Sequence, residues 1–275
     1  MFNVYINYAA SVQAKSDADH KWGTAFANRL LRLEIKGNLT DRLYYRLRHR
    51  LDKSNEAKGE DNFAKATDIM MIGYRFSDKF KLEGGKLCQT WGGFEYDENP
   101  LHIYEFSELA GALDIYMAGV IATCRPVPSQ ELALGVTNSH NEKFNEVYGD
   151  NPMAVEADGT HTRALEKSHN PLTYIVNWNG SFLHDRLQTR WSWGLQGEAR
   201  HKYSRMVFLG QKLNLDRLQW YFDYMGEFDG LDRLGIATGD VAPSVTGFSG
   251  RVWLSDVHYN SFVTKLNWQF APQWN

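Results

Sequence analysis

The chain has 275 residues, a formal charge of −3 and 43% hydrophobic residues, with 9 tryptophans, 14 tyrosines and only 7 prolines. So balanced a charge offers no footprint for nucleic acid, and no run approaches the roughly 18 consecutive apolar residues of a spanning helix. Entry into a membrane would therefore require a closed barrel, which satisfies every backbone N–H and C=O without water.

The chain starts Met1-Phe2-Asn3-Val4-Tyr5, without the basic start and apolar core of a secretory signal. Alternating runs then cover 2–11, 24–36 and 42–52. Leu31, Leu33 and Ile35 share one face of the second run, and Arg32, Glu34 and Lys36 share the other, as a pleated strand requires. In the third run Leu43, Tyr45, Leu47 and Leu51 alternate with Arg42, Tyr44, Arg46, Arg48 and Arg50. Pairing about Leu39 would set Arg46 opposite Arg32 and Arg42 opposite Lys36, like-charge contacts that destabilise a ladder unless water, Glu34 or bound anions offset them. A cationic face repeated among many hairpins points to a polar interior and a lipid-facing exterior. A merely solvated charged face is the plainer alternative.

Further runs cover 67–77, 79–88, 113–124, 130–138, 170–178, 186–199, 202–213, 217–227 and 257–270, giving twelve candidate strands. Short connections at 37–41, 77–78, 125–129, 179–185 and 214–216 contrast with long ones at 53–66, 89–112, 139–169 and 228–256. Short turns on one rim and long loops on the other describe an antiparallel transmembrane barrel. The later runs keep two chemistries apart: Thr189, Trp191, Trp193 and Leu195 oppose Gln188, Arg190, Ser192, Gln196 and Glu198. Cys88 and Cys124 fall at opposite ends of adjacent runs, too far apart for a bond that needs Cα atoms within about 7 Å, and are read as unpaired.

The connection 89–112 carries Glu95, Asp97, Glu98 and Glu105. Asn99-Pro100 reads as a helix cap with proline at the first helical position, and Leu101, Tyr104, Glu105, Glu108 and Leu109 follow helical spacing. The insert either folds inward to narrow a pore or stays outside as a loop with a helical turn. Facing a basic wall, its acids would set a transverse field. The same carboxylates adjoin in a loop without a fixed separation, which disfavours glycoside hydrolysis. His140, His161 and His169 share the connection 139–169 with Glu142, Glu146 and Asp150, but their spacings match no compact metal motif, and the segment reads as a hydrated external loop. No cofactor or catalytic constellation is indicated.

The segment Gly85-Lys86-Leu87-Cys88-Gln89-Thr90-Trp91-Gly92-Gly93-Phe94-Glu95-Tyr96-Asp97, with Asn99-Pro100 and Ile103-Tyr104-Glu105, resembles porins of Bacteroidota related to the phosphate-selective porin O and P family. Arg32 to Asn38, Tyr45 to Leu51, Glu166 to Ser168, Tyr174 to Gly180, Gln188 to Ser192 and Asp232 to Ile236 continue the likeness in order. It implies a single outer-membrane barrel of a Gram-negative bacterium over 1–275, in contact with outer-membrane lipid and passing small hydrophilic solutes or anions. An inward constriction loop at 89–112 and a homotrimer belong to the same expectation. Family barrels have about sixteen strands, so the twelve runs, ending at Trp274-Asn275, read as a C-terminally truncated set. Arg32, Glu34, Lys36, Arg42, Arg46, Arg48, Arg50 and Arg190 would line the pore, with Glu95, Asp97, Glu98 and Glu105 at its constriction. A non-conducting barrel used as an anchor or surface-binding protein is the competing class, and a soluble all-β carbohydrate-binding or hydrolytic protein a third.

Overall fold

The computed structural model describes residues 2–16, 20–57, 59–98, 106–156, 161–241 and 251–271. Strands Phe2–Ser16 (β1), Trp22–Asn38 (β2), Leu43–Arg50 (β3), Thr67–Ser77 (β4) and Phe80–Cys88 (β5) come first, followed by a 3-10 turn at Glu95–Asp97 and helix Glu108–Ala112 (α1). Next are Tyr116–Val127 (β6), Gln130–Asn138 (β7), helix Phe144–Tyr148 (α2) and two short strands, Met153–Val155 (β8) and Thr162–Ala164 (β9). Leu172–Phe182 (β10), Leu187–Ala199 (β11), Lys202–Leu215 (β12), Leu218–Leu231 (β13), helix Ile236–Val241 (α3) and Val252–Trp268 (β14) complete the described elements.

The twelve long strands form one antiparallel meander in the order β1 to β7, then β10 to β14, while β8 adds to the start of β14 in parallel and carries β9. Among the described residues no ladder joins β1 to β14. Connections at 39–42, 78–79, 128–129, 183–186 and 216–217 are short, and 51–66, 89–115, 139–171 and 232–251 are long.

Polarity is inverted relative to a soluble sandwich. Outward Phe26 is 90% exposed and outward Phe262 66%, whereas inward Asp223 and Glu227 are 0% exposed. Only an apolar surround makes that arrangement favourable, because each outward aromatic in water forfeits about 2 kcal/mol or more of burial free energy. Tyr74, Phe76, Phe80, Trp191, Trp220 and Trp268 cluster outward near the short turns, as an interfacial girdle does. Cys88 pairs in register with Tyr116 and Cys124 with Phe80, so the two free thiols lie at opposite ends of the β5–β6 ladder.

The β2–β3 hairpin differs from the sequence expectation in register. Arg32 faces Arg50, Glu34 faces Arg48 and Lys36 faces Arg46, which centres the turn on Asp41 rather than Leu39. The Thr40 hydroxyl accepts from the backbone of Arg42 and Leu43, and Leu39 N donates to Leu43 O, making a tight turn two residues further along. The shift is even, so every side chain keeps its face. Arg42 itself leaves the ladder and lies exposed in the turn, so it does not line the interior.

Candidate functional site

The inward face of β2–β4 builds a basic wall. Glu34 accepts from Arg46 Nε at 3.0 Å and from Arg48 Nε and Nη2 at 3.1 Å. Asp68 accepts from Arg50 Nε at 2.8 and 3.0 Å and lies 3.6 Å from Arg32 Nε. Four guanidinium groups thus share two carboxylates, a local excess of two positive charges. Arg48 also reaches the Tyr116 hydroxyl at 3.4 Å. Lys36 Nζ lies 4.9 Å above the Tyr5 ring instead of on a carboxylate, and Arg75 lies 4.1 Å above the Tyr44 ring.

Across the barrel the segment that follows β5 is fastened to the wall made by β11 to β14. Trp91 packs edge-on against Phe208 with ring centroids 5.0 Å apart, beside Ile175, Met206 and Met225; such an aromatic pair contributes about 1 kcal/mol beyond area burial. Gly194 makes room for it, since a Cβ there would stand 2.3 Å from the Trp91 ring. Gly92 N donates to Ser192 Oγ at 2.7 Å, Gly93 N to Arg190 O at 3.0 Å, and Glu95 N to Asp223 Oδ2 at 2.8 Å. Two ion pairs finish the attachment, Asp97 to Arg190 at 2.9 Å and Glu98 to Lys265 at 2.9 Å. Burial, and then the Glu227 and Glu95 carboxylates, push the Tyr96 hydroxyl well above its usual range.

The described residues of the segment therefore lie against the wall of β11 to β14, and Glu95, Asp97 and Glu98 do not confront the arginines of β2 and β3. Glu95 is buried and accepts from Ser107 N at 2.6 Å and Ser107 Oγ at 2.7 Å, which fixes α1, so it is a structural carboxylate and not a lumenal one. Asp97 and Glu98 are spent on Arg190 and Lys265. Glu105 and the expected cap at Asn99-Pro100 lie outside the described residues.

A second inward insert escaped the sequence reading. The connection 139–171 leaves β7 and crosses to β14, where β8 pairs with Val252 to Leu254. Tyr148 is fully buried against Trp253, ring centroids 5.3 Å apart, and Trp253 Nε1 donates to Tyr148 O at 2.9 Å. The Tyr148 hydroxyl donates to Glu198 at 2.5 Å, and His140 Nε2 stands 3.3 Å from the same carboxylate. Burial and then Glu198 push that hydroxyl well above its ordinary pKa, so it stays a donor at physiological pH. The segment is thus a strap across the mouth and not a hydrated external loop. Phe144, Val147 and Tyr148 at helical spacing were the available signal. Asp61 and Lys86, a buried ion pair at 3.0 Å, bind the connection 51–66 to β5 in the same vestibule.

The model of one protein family, phosphate-selective porin O and P, matches residues 2–275. The chain belongs to that family. This porin is an outer-membrane β-barrel channel of a Gram-negative bacterium. Among solved structures it is similar to the outer-membrane channel DcaP of Acinetobacter baumannii, with 9% identity, TM-score 0.55, and coverage of 98% of this chain and 75% of that one. Pseudomonas aeruginosa OccK1 is 12% identical, with TM-score 0.41 over 96% of this chain and 62% of that one. A porin of Rh. blastica is also 12% identical, with TM-score 0.41 and coverage of 98% and 91%. The porin thus spans 75% of the length of DcaP and 62% of that of OccK1. Among curated proteins none matches its sequence.

Proposed function

We propose that this porin is a passive diffusion path for small hydrophilic solutes with a modest preference for anions, and that Arg32, Glu34, Lys36, Arg46, Arg48, Arg50 and Arg190 face that path. The excess of guanidinium over carboxylate on β2–β4 is the observation that carries the reading. Successive inward residues on a strand are roughly 7 Å apart, below the Debye length of about 8 Å at physiological salt, so the potentials of Arg46, Arg48 and Arg50 overlap. Cationic rings of this kind favour anions, and the preference weakens as salt rises. Asp97 and Glu98 are neutralised by Arg190 and Lys265 and so do not oppose the bias. The reading needs no cofactor and no covalent chemistry, and treats the chain as one barrel with the insert at 89–112. Source in the Bacteroidota and a trimeric assembly rest on the residue-level resemblance alone.

Planar-bilayer recording of the full-length protein tests this. Steady conductance with a reversal potential on the anion side supports it, and cation preference refutes the charge assignment. The strap at 139–171 favours one second reading, a barrel closed at its mouth that serves as an anchor or surface-binding protein. Silence at all voltages would establish that instead.

A further inference from the structure

The outer face of the barrel changes character just below the long-loop rim. Ladder register sets Tyr174, Leu195, Arg205 and Phe228 side by side in one outward row across β10 to β13. The next outward row towards the short turns, Val176, Trp193 and Val207, is wholly apolar. From Leu213, the ladder partner of Trp220 in the short-turn girdle, to Arg205 the strand runs about 26 Å, or about 20 Å along the axis at a tilt near 40°. Tyr203 lies one outward position further. Arg205 and Tyr203 therefore fall at the second border of an apolar band about 25 Å tall, where an outward arginine is far less costly than at the middle.

Beside this row an open groove of about 470 Å³ lies between the end of the connection 139–171 and the β11–β12 hairpin. Tyr174, Leu195 and Tyr203 line it on the lipid side, and His169, Arg200 and His201 on the rim side. The lipid-side wall is accessible, with Tyr174 46% and Tyr203 52% exposed, and so is Trp193 in the row beneath, at 46%. The turn joining β11 to β12 is only Arg200 and His201, both exposed, so this hairpin does not roof the groove.

The rim side is basic. Arg200 donates to Glu166, whose carboxyl is held below its usual range by that bond and charge, with Arg163 of β9 and His201 adding to the effect. Lys167 is cancelled by Glu60. Among the described residues Glu166 is the one carboxylate that forms an ion pair with Arg163, Arg200, Arg205, His169 or His201.

We propose that this groove binds the phosphorylated headgroup of a lipid in the cell-surface leaflet, with the phosphate on Arg200 and Arg205 and the acyl chains on Val176, Trp193 and Val207. Long loops face the exterior, which places the groove in that leaflet. Guanidinium groups bind phosphate oxygens in a fork, and tyrosines at the border suit the headgroup level. A free anion would gain only from the cations, whereas a phosphorylated lipid also covers the apolar row below them. The site lies on the outer wall, so it is independent of whether the barrel conducts.

The test is native mass spectrometry of the full-length protein in a neutral detergent, titrated with diphosphorylated lipid A, with its dephosphorylated form and with inorganic phosphate. Lipid A is expected to bind at least tenfold more tightly than either. Arg200→Gln with Arg205→Gln should lower its affinity at least fivefold, while Arg186→Gln with Arg217→Gln, which removes the same charge at the short turns, should change it less than twofold. Glu166→Gln should raise the affinity at least twofold, a gain that misfolding cannot produce, and heat-modifiable gel migration confirms that each variant is folded. Dephosphorylated lipid binding as tightly as lipid A, equal losses in the two arginine pairs, or a loss in Glu166→Gln overturns the proposal. Inorganic phosphate binding as tightly as lipid A would assign the groove to a free anion and overturn it as well.

Discussion

Glu34 and Arg48 face one another across the β2–β3 ladder, and the carboxylate accepts two guanidinium hydrogen bonds from Arg48 at 3.1 Å while a third comes from Arg46 at 3.0 Å. One acid thus tempers two arginines at the centre of the basic wall. Glu34→Gln removes the negative charge but keeps an acceptor, so the excess over the four arginines and two acids rises from two to three. The reversal potential under a salt gradient should move further toward anions. The variant should also unfold at lower temperature, since close like charges lose the group that offsets them. An unchanged reversal potential in a conducting barrel would mean that the wall does not set selectivity.

Replacing Arg46, Arg48 and Arg50 together by glutamine is the opposite manipulation. Arg32 then remains with Glu34 and Asp68, a net charge of minus one where the wild type has plus two. The expected result is a reversal potential displaced toward cations at low salt and merging with that of the wild type at about 1 M, where the Debye length is about 3 Å.

Much of the barrel was legible because alternation is a property of each strand alone. All twelve long strands were visible as runs, and Arg190, Ser192 and Gln196 fall on one face of β11 in sequence and in space. What was not legible depends on contacts between strands. Asp68 adjoins inward Ile69 and by simple alternation would point outward, but a β-bulge in the β3–β4 ladder, between Arg48 and His49, turns it to Arg50. The placement of Glu95 on Ser107, and of Asp97 and Glu98 on Arg190 and Lys265, required knowing which wall the insert meets. The strap at 139–171 was missed because its core partner Trp253 lies about a hundred residues downstream.

Trp253 offers the clearest handle on that strap. It closes over Tyr148, donates to the Tyr148 carbonyl and belongs to the cluster of Ala154, Leu165, Ala199 and Leu231. Trp253→Ala should remove about 3–5 kcal/mol of packing from this seat. Limited proteolysis should then cut within 139–169 at least tenfold faster, and single-channel conductance should rise. Faster cleavage with unchanged conductance would place the strap outside the conducting path.

Gly92 provides the corresponding test of the constriction. A Cβ at this position would stand 2.6 Å from Arg190 O, 2.8 Å from Ser192 N and 3.0 Å from Phe208 O, all backbone atoms of strands that cannot yield locally. Gly92→Val must therefore lift the segment off the wall, at about 1–3 kcal/mol of strain, and weaken the 2.7 Å bond from Gly92 N to Ser192 Oγ. The pairs Asp97–Arg190 and Glu98–Lys265 still tether its far side, so the displaced backbone moves into the lumen rather than out of the barrel. Conductance should fall and open-channel noise rise, with Gly92→Ala giving a smaller change of the same sign. Cutting both tethers as well, with Asp97→Asn and Glu98→Gln, should reverse the effect, because a segment freed on both sides no longer holds its place in the path. Identical conductance in all three variants would show that residues 89–112 do not bound the channel.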